Sequence, residues 1–443
     1  MSPLLVVVLL ALLLGIQPIT TDVYLPALPA LQRDLGASMP QVQMTFAALL
    51  LSFGVSQLVW GPLSDRFGRR PILLCGMTAY VLASLACVLA PRMDLLIAAR
   101  IAQGAAMGAA VMGARAIVRD LYAPLEGAKA MSRGLSGLGA IAILCTPLGG
   151  LLTDWWHWRA AMAVLAVFGF GTLALLALRF RETNRARNPQ ALAPRTLWRS
   201  WVQIARHPTF VTYCLLSTAS YVALFTFLAS SSFVLIEALG LSKLAYGAAM
   251  AFGSLLYIFG TIACRRLLVR RGIRRTVFAA GGLTFTAGLL MAALAWLGWG
   301  QPWYGAWAVM LPQYLFIVAH GVHQPVGQSG AVAPFPQMAG AASALNGFIM
   351  MATAFPMGLW LGRAMDGTAR PMALGFLLWC TVIAVTAWTL VQKYGDPPER
   401  PTPLPPSPAG GGTPPATGAG PAAAVAGMAG SAAVRRSDAA DSD

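Results

Sequence analysis

Two charged residues stand inside stretches that are otherwise apolar. Asp22 lies in TTDVYLPALP (residues 20–29), within the first long hydrophobic run, and Arg100 lies in LLIAARIAQGAAMG (residues 95–108), within the fourth. Burial favours the neutral form of a carboxyl group and a nearby cation favours the charged form, so such a group can take up and release a proton as its surroundings alternate. A guanidinium stays protonated and is costly to bury unpartnered, which makes an intramembrane arginine functional by default. Each has a plainer reading as well. Asp22 is nearer the outer end of its run than the midplane and can cap a helix broken before Pro26, while Arg100, a few residues into its run, can snorkel to an interface. Tyr24, beside Asp22, offers a ring face or a hydrogen bond. Gln103, in the same RIAQG segment as Arg100, joins Gln17, Gln57 and Asn346 as the few polar candidates for a cavity wall.

A third cluster is GPLSDRFGRRP (residues 61–71). Gly61 and Gly68 allow a tight turn and a close helix approach. Asp65, Arg66, Arg69 and Arg70 can pair across a helix interface or cap a neighbouring helix end; the plainer alternative is a basic loop that only sets topology. Glu237 reads as a boundary residue, with a second protonation site as the alternative. His320 and His323 share a helical face, but no acidic or cysteine partner is near in sequence, so neither a metal nor any cofactor is expected. The six cysteines are scattered singly and read as small buried apolar residues.

Positioning these groups falls to hydrophobic helices. Of 443 residues, 57% are hydrophobic and only 10% charged, against about 25% charged in soluble domains. The chain is therefore an integral membrane protein. Spanning a bilayer takes about 20 largely apolar residues, and such runs occupy residues 4–31, 42–61, 71–91, 94–118, 131–153, 158–178, 209–235, 244–268, 275–298, 303–325, 338–362 and 371–393. The first resembles a signal peptide but lacks a basic n-region, and it reads as a retained helix. The net charge of +16 collects in linkers such as DRFGRR and RRLLVRRGIRR, which places them, and both termini, on the cytoplasmic side and argues against nucleic acid as a partner. LGRAMDGTARP fits this alternation less well. Trp155, Trp156, Trp158, Trp299, Trp303 and Tyr304 sit at span ends, as an interfacial belt requires.

The longest linker divides the chain into two groups of six spans: 1–178, a linker over 179–208 with an amphipathic stretch at 197–204, and 209–394. GPLSDRFGRR after the second span corresponds in position to GTIACRRLLVRRGIRR after the eighth, a weak internal repeat. Residues 395–443 are dense in Pro, Gly and Ala and should be disordered.

The form GxLxDRxGRR resembles the signature of the major facilitator superfamily, a resemblance covering residues 1 to about 394. TTDVYLPALP, LLIAARIAQGAAMG, ARAIVRDLY (114–122), SSFVLIEALGLS (231–242) and AGAASALNGF (339–348) look like the bicyclomycin and chloramphenicol resistance (Bcr/CflA) branch of drug:proton antiporters. The resemblance implies an all-α fold of twelve transmembrane helices in two six-helix bundles. It also implies a cytoplasmic gate in which Asp65 faces the start of the eleventh helix, Arg69 or Arg70 meets Asp120, and Gly61, Arg66, Gly68 and Arg119 take part. Arg100 is then linked to proton coupling. CTPLGG (145–150) looks like a degenerate antiporter motif, with Thr146 where that motif has glycine; Pro147, Gly149 and Gly150 would kink their helix and permit close packing. Ser231 stands where that branch often has proline.

The expected function is secondary active efflux from a bacterial inner membrane: small, mostly apolar drugs leave in exchange for protons by alternating access around a central cavity. Each proton entering down 100 mV supplies about 2.3 kcal/mol. Asp22, Tyr24, Arg100 and Gln103 are the candidate coupling and cavity residues; Tyr221, Phe225 and Phe227 could also line an apolar drug cavity, but core packing is their expected role. The expected partners are a drug-like substrate, protons and the bilayer, with the chain a monomer. The alternative is a proton-coupled carrier of a metabolite such as an amino acid or sugar, which a cavity rich in Asn, Gln or charge would favour. An intramembrane enzyme is disfavoured, since HExxH and GxSxG are missing; for a non-transporting sensor, loss of the gate residues would have been the sign.

Overall fold

A backbone polar group left unpaired in hydrocarbon costs several kcal/mol, so an apolar chain in a bilayer satisfies its backbone within helices. The computed structural model, which describes residues 2–122, 124–184 and 191–395, is helical throughout, as expected. Local capping chemistry sets several of the ends. Ser2 Oγ accepts from Leu5 N–H to start α1 (Pro3–Asp22), and Ser38 with Gln41 forms a reciprocal cap at α3 (Met39–Phe67). Between them lie a short turn at Leu25–Ala27 and α2 (Leu28–Asp34). The break follows from Pro26 and Pro29, which have no N–H to donate to the carbonyls four residues back.

The remaining elements are α4 (Arg69–Leu89), α5 (Met93–Leu121), α6 (Pro124–Trp155), α7 (Trp158–Arg179), α8 (Pro194–Ala205), α9 (Pro208–Ser232), α10 (Lys243–Gly298), α11 (Ala306–Val332), α12 (Ala339–Ala364), α13 (Arg370–Trp388) and α14 (Leu390–Tyr394). Ten of the described helical stretches are long and apolar enough to cross a membrane. α10 has 56 residues, roughly 84 Å at 1.5 Å per residue, far more than a hydrocarbon core of about 30 Å. It is broken at Gly272 (φ 73°, ψ 175°) and makes two crossings, 243–271 and 273–298. α11 falls short on apolarity because Gln313, His320, His323 and Gln324 are turned inward. With it, the described residues make twelve crossings, an even number that leaves residues 3 and 394 at the same end.

α1 and α3 to α7 pack among themselves, as do α9 to α13, and the two groups meet along α3 against α12 and α6 against α10. Both seams depend on missing side chains. A Cβ on Gly54 would stand 2.6 Å from Met351 Cβ, and one on Gly247 2.7 Å from Pro147 Cα, which is the close approach small residues permit between membrane helices. The amphipathic stretch in the linker is α8, which leaves Trp198 exposed and turns Ile204 inward. The expected disorder of residues 395–443 falls, from 396 on, outside the described residues.

One aromatic expectation changes. Trp158 is 1% exposed and donates its indole N–H to Asp34 at 2.8 Å, so it ties the start of α7 to the end of α2 and is not part of an interfacial belt; Trp155 and Trp156 are exposed as expected. Phe225 and Phe227 are buried packing residues, Phe225 stacked on Phe46 at 5.3 Å.

Candidate functional site

The charged segment over residues 61–71 builds outward from Gly68. Its φ of 106° suits glycine, and a Cβ there would stand 2.6 Å from a carboxylate oxygen of Glu182. That carboxylate, carried by the linker beyond α7, accepts from the N–H groups of Arg69 (2.8 Å) and Arg70 (3.0 Å), the first turn of α4, and from those of Thr183 (3.0 Å) and Asn184 (2.9 Å). Pro71 has no N–H, so the carboxylate meets the free donors that open the helix. Burial pushes the Glu182 carboxyl up, but the N–H groups of Asn184, Arg69, Arg70 and Thr183 outweigh it and hold the group below the ordinary glutamate value. The sequence reading missed Glu182; its signal was a lone acid in the Arg-rich RFRETNRAR.

Arg69, 3% exposed, spends its guanidinium on Asp120 (Nε to Oδ2, 2.8 Å), Asp65 (2.8 Å) and Ser64 Oγ (2.9 Å). Arg119 also reaches Asp65 at 3.1 Å. Arg70 instead donates to the Ala177 carbonyl at 3.1 Å, and Arg66 lies over the Phe67 ring. Of the two arginines named for Asp120, Arg69 therefore meets it. Asp65 pairs within its own helix group, while Arg119 comes within 3.5 Å of where a Cβ on Gly340, at the start of α12, would stand. Gly61 faces the Met112 methyl.

Replacing Glu182 by glutamine leaves one acceptor oxygen for four donors. The expected loss is about 1 kcal/mol once solvent screening is allowed for, read as a lower melting temperature at pH 7. Because the folded pKa is depressed, the wild-type contribution is complete above the unfolded value of about 4.3 and is lost as pH falls below it through the folded value. The Gln variant should lack that acid-dependent loss, and parallel melting curves across that window would refute the clamp.

Arg100 is fully buried. It donates to the Thr20 carbonyl from both terminal nitrogens (3.3 Å each) and to Gln103 Oε1 (2.7 Å), and its guanidinium carbon sits 4.3 Å from the Tyr24 ring centre. Gln103 in turn donates to Ser84 Oγ, and the Tyr24 hydroxyl pairs with Thr45. This excludes snorkelling and gives Arg100 a physical task. Thr20 carries one of the last carbonyls of α1, which a helix end leaves unpaired, and a cation there opposes the negative end of the helix dipole.

Asp22 closes α1 and is half-buried. Thr21 Oγ1 donates to it at 2.7 Å, and no basic side chain among the described residues is within ion-pair distance. Because helix resumes in α2, Pro3–Asp34 spans 32 residues, and Asp22 falls about 5 Å beyond the midpoint at 1.5 Å per residue, closer to the middle than the sequence reading placed it.

α6 runs unbroken through Pro147. Its glycines serve contact: a Cβ on Gly149 would meet the Val23 carbonyl oxygen at 2.1 Å, and one on Gly150 the Lys243 carbonyl oxygen at 2.8 Å. The Gly149→Ala variant should therefore displace the chain just after Asp22 at a cost of about 1–3 kcal/mol, checked by melting temperature; an unchanged value would deny that contact.

A cavity of about 80 Å³ lies between the helix groups. Its polar wall is Gln17, Gln57, Gln324, Gln328 and Asn346, with Arg115 donating across the groups to Ser343 Oγ at 2.8 Å. Phe53, Tyr221, Met350 and Met351 supply the apolar wall. Asp22, Tyr24, Arg100 and Gln103 are not on it. Away from that charged segment the groups are joined by Arg33 with Glu237 (3.5 Å), Lys243 with Asp154 (2.7 Å) and Gln43 with the Ala229 carbonyl (2.7 Å). Glu237 thus pairs at the boundary. His320 and His323 share hydrogen bonds with Ser220 (2.8 Å) and Thr284 (3.0 Å), and no group of three or more metal-ligating side chains occurs among the described residues.

This arrangement has relatives. The model of the Major Facilitator Superfamily matches residues 10–355. The chain is 32% identical over 343 residues to the multidrug resistance protein D of Escherichia coli K12, covering 76% of this chain and 84% of that one. It is 27% identical over 388 residues to a bicyclomycin resistance protein homolog of Haemophilus influenzae, covering 87% and 96%. Its fold superposes on the crystal structure of a D-xylose-proton symporter with a TM-score of 0.67 at 15% identity, over 88% of this chain and 98% of that one. Twelve crossings among the described residues, a charged α3–α4 junction paired to the end of α5 and a cavity between two helix groups agree with the match over most of the chain: this is a multi-pass membrane protein, a transporter rather than an enzyme, and it belongs to the major facilitator superfamily.

Proposed function

We propose that the chain exports small molecules from a bacterial cytoplasm in exchange for protons. Residues 1–178 and 209–394 move as two bundles about the central cavity, joined by the linker over 179–208, with both termini on the cytoplasmic side. One observation carries this reading: a polar cavity between the groups, with Asp22 inside a membrane-spanning stretch and in no ion pair among the described residues. Asp22 takes the proton, and the clamp of Glu182, Arg69, Asp65 and Asp120 braces the cytoplasmic end of the first bundle against the linker. Relatives named for multidrug and bicyclomycin resistance support efflux.

The cavity wall also favours a second feature. Its glutamines, Asn346 and Arg115 suit a substrate with hydrogen-bonding groups better than a mostly apolar drug, since a site built from polar groups rejects ligands that leave them unpaired. Polar drugs and small metabolites are the classes this supports. The test is proton movement in vesicles reconstituted with the full chain, on addition of chloramphenicol, bicyclomycin and a set of amino acids and sugars. Substrate-dependent proton movement is expected, and its absence for every compound would reject the exchange reading.

A further inference from the structure

We infer that the substrate carries an anionic group, a carboxylate or its equivalent, that docks on Arg115; this rests on reading the central cavity as the substrate site. The interior arginines divide sharply by how their charge is met. Arg69 is met by Asp65 and Asp120; Arg100 has no acidic partner and an unpaired Nε, but its terminal nitrogens are taken up by carbonyl and amide and its face by a ring. Arg115, on the cavity wall, makes one hydrogen bond, to the neutral Ser343 Oγ, and no acidic side chain among the described residues pairs with it. A guanidinium offers five donors in a fixed fork and cannot lose its charge, so Arg115 presents unused donors and an uncompensated charge to a void.

A second observation at the same void points to a ligand. Gln324 is 8% exposed and its buried Oε1 has no partner, although buried polar atoms are nearly always paired. It lines the cavity with Arg115, so the molecule that fits brings a hydrogen-bond donor for this oxygen as well as an anion for Arg115. Met350, Met351 and Phe53 on the same wall offer an adaptable apolar surface. The ligand that fits is an amphiphile: an anionic head on Arg115 and an apolar body against the methionines.

The volume adds a mechanism. About 80 Å³ is well below the roughly 300–1,000 Å³ of drug-sized sites, so a substrate enters only as the groups part. The Arg115–Ser343 bond crosses between α5 and α12. A carboxylate taking both terminal nitrogens of Arg115 replaces that neutral acceptor with a stronger, charge-assisted one, freeing Ser343 and α12. Substrate binding and release of the bridge are then one exchange of acceptors.

The test is binding to the full chain in lipid nanodiscs, using matched hydroxy acids and amides, so that both members of a pair carry a donor: 4-hydroxybenzoate with 4-hydroxybenzamide, 4-hydroxy-1-naphthoate with its amide, and 4′-hydroxybiphenyl-4-carboxylate with its amide. The acids should bind about 10-fold more tightly, equivalent to about 1.4 kcal/mol. Arg115→Gln should erase that preference, Arg115→Lys keep part of it, and Ser343→Ala leave it intact. The inference is overturned if no acid binds, if acids bind no better than their amides in the wild type, or if the preference survives Arg115→Gln. Proton movement driven by amides but not by acids would sink this inference and leave the exchange reading standing. Acids binding through Arg115 without moving protons would do the reverse.

Discussion

With Asp22 replaced by asparagine, substrate should no longer move protons, while the protein folds with a stability within about 0.5 kcal/mol of wild type. Asparagine keeps the size and the acceptor that Thr21 uses but cannot titrate. Asp22 ends α1, a few ångströms past the middle of a 32-residue helical stretch, and no ion pair among the described residues fixes its charge. A group so placed changes protonation when its access to water changes, which a coupling site must do. A helix-capping aspartate would behave differently: its asparagine variant, a comparably good capping residue, would exchange protons as before. Vesicles loaded with a pH-sensitive dye separate the two, with Asp22→Glu as the control expected to retain part of the coupling. Coupling by the asparagine variant at the wild-type rate and pH dependence would remove Asp22 from the mechanism.

The same residues show where sequence was informative. Runs of apolar residues fixed the helices because hydrocarbon leaves the backbone one solution, and the break after Asp22 was visible in Pro26 and Pro29. The positional correspondence of GPLSDRFGRR with GTIACRRLLVRRGIRR holds a detail that was not drawn from it: Gly68 and Gly272 both have positive φ. What sequence did not disclose depends on partners far along the chain. Glu182 acts on Arg69 and Arg70 more than a hundred residues away, and nothing local marks it beyond its sign. Arg115 lay in a segment noted only for its resemblance, and its role appears once α12 brings Ser343 to it. Tyr24 and Gln103 were grouped with the cavity because they neighbour Asp22 and Arg100 in sequence, yet helix periodicity turns them into the core.

Arg100→Ala should be among the most damaging single substitutions, and its damage should be of two separable kinds. Removing the guanidinium leaves the Thr20 carbonyl, the Gln103 Oε1 and the Tyr24 face without their common partner. Each buried acceptor so stranded costs about 1–3 kcal/mol, so a stability loss of roughly 2–4 kcal/mol is expected, read as a lower melting temperature in detergent. Arg100→Lys tests geometry against charge. Lysine restores the cation but has no planar fork, so it cannot hold the Thr20 carbonyl and Gln103 together as two nitrogens do. If Arg100 acts by fixing the end of α1, and through it the position of Asp22, the Lys variant should recover part of the melting temperature yet exchange protons poorly. If it acts through charge alone, Lys should restore exchange fully. Arg100→Met, which supplies volume without charge, completes the comparison: a stable Met variant with intact exchange would show that neither the fork nor the cation is needed.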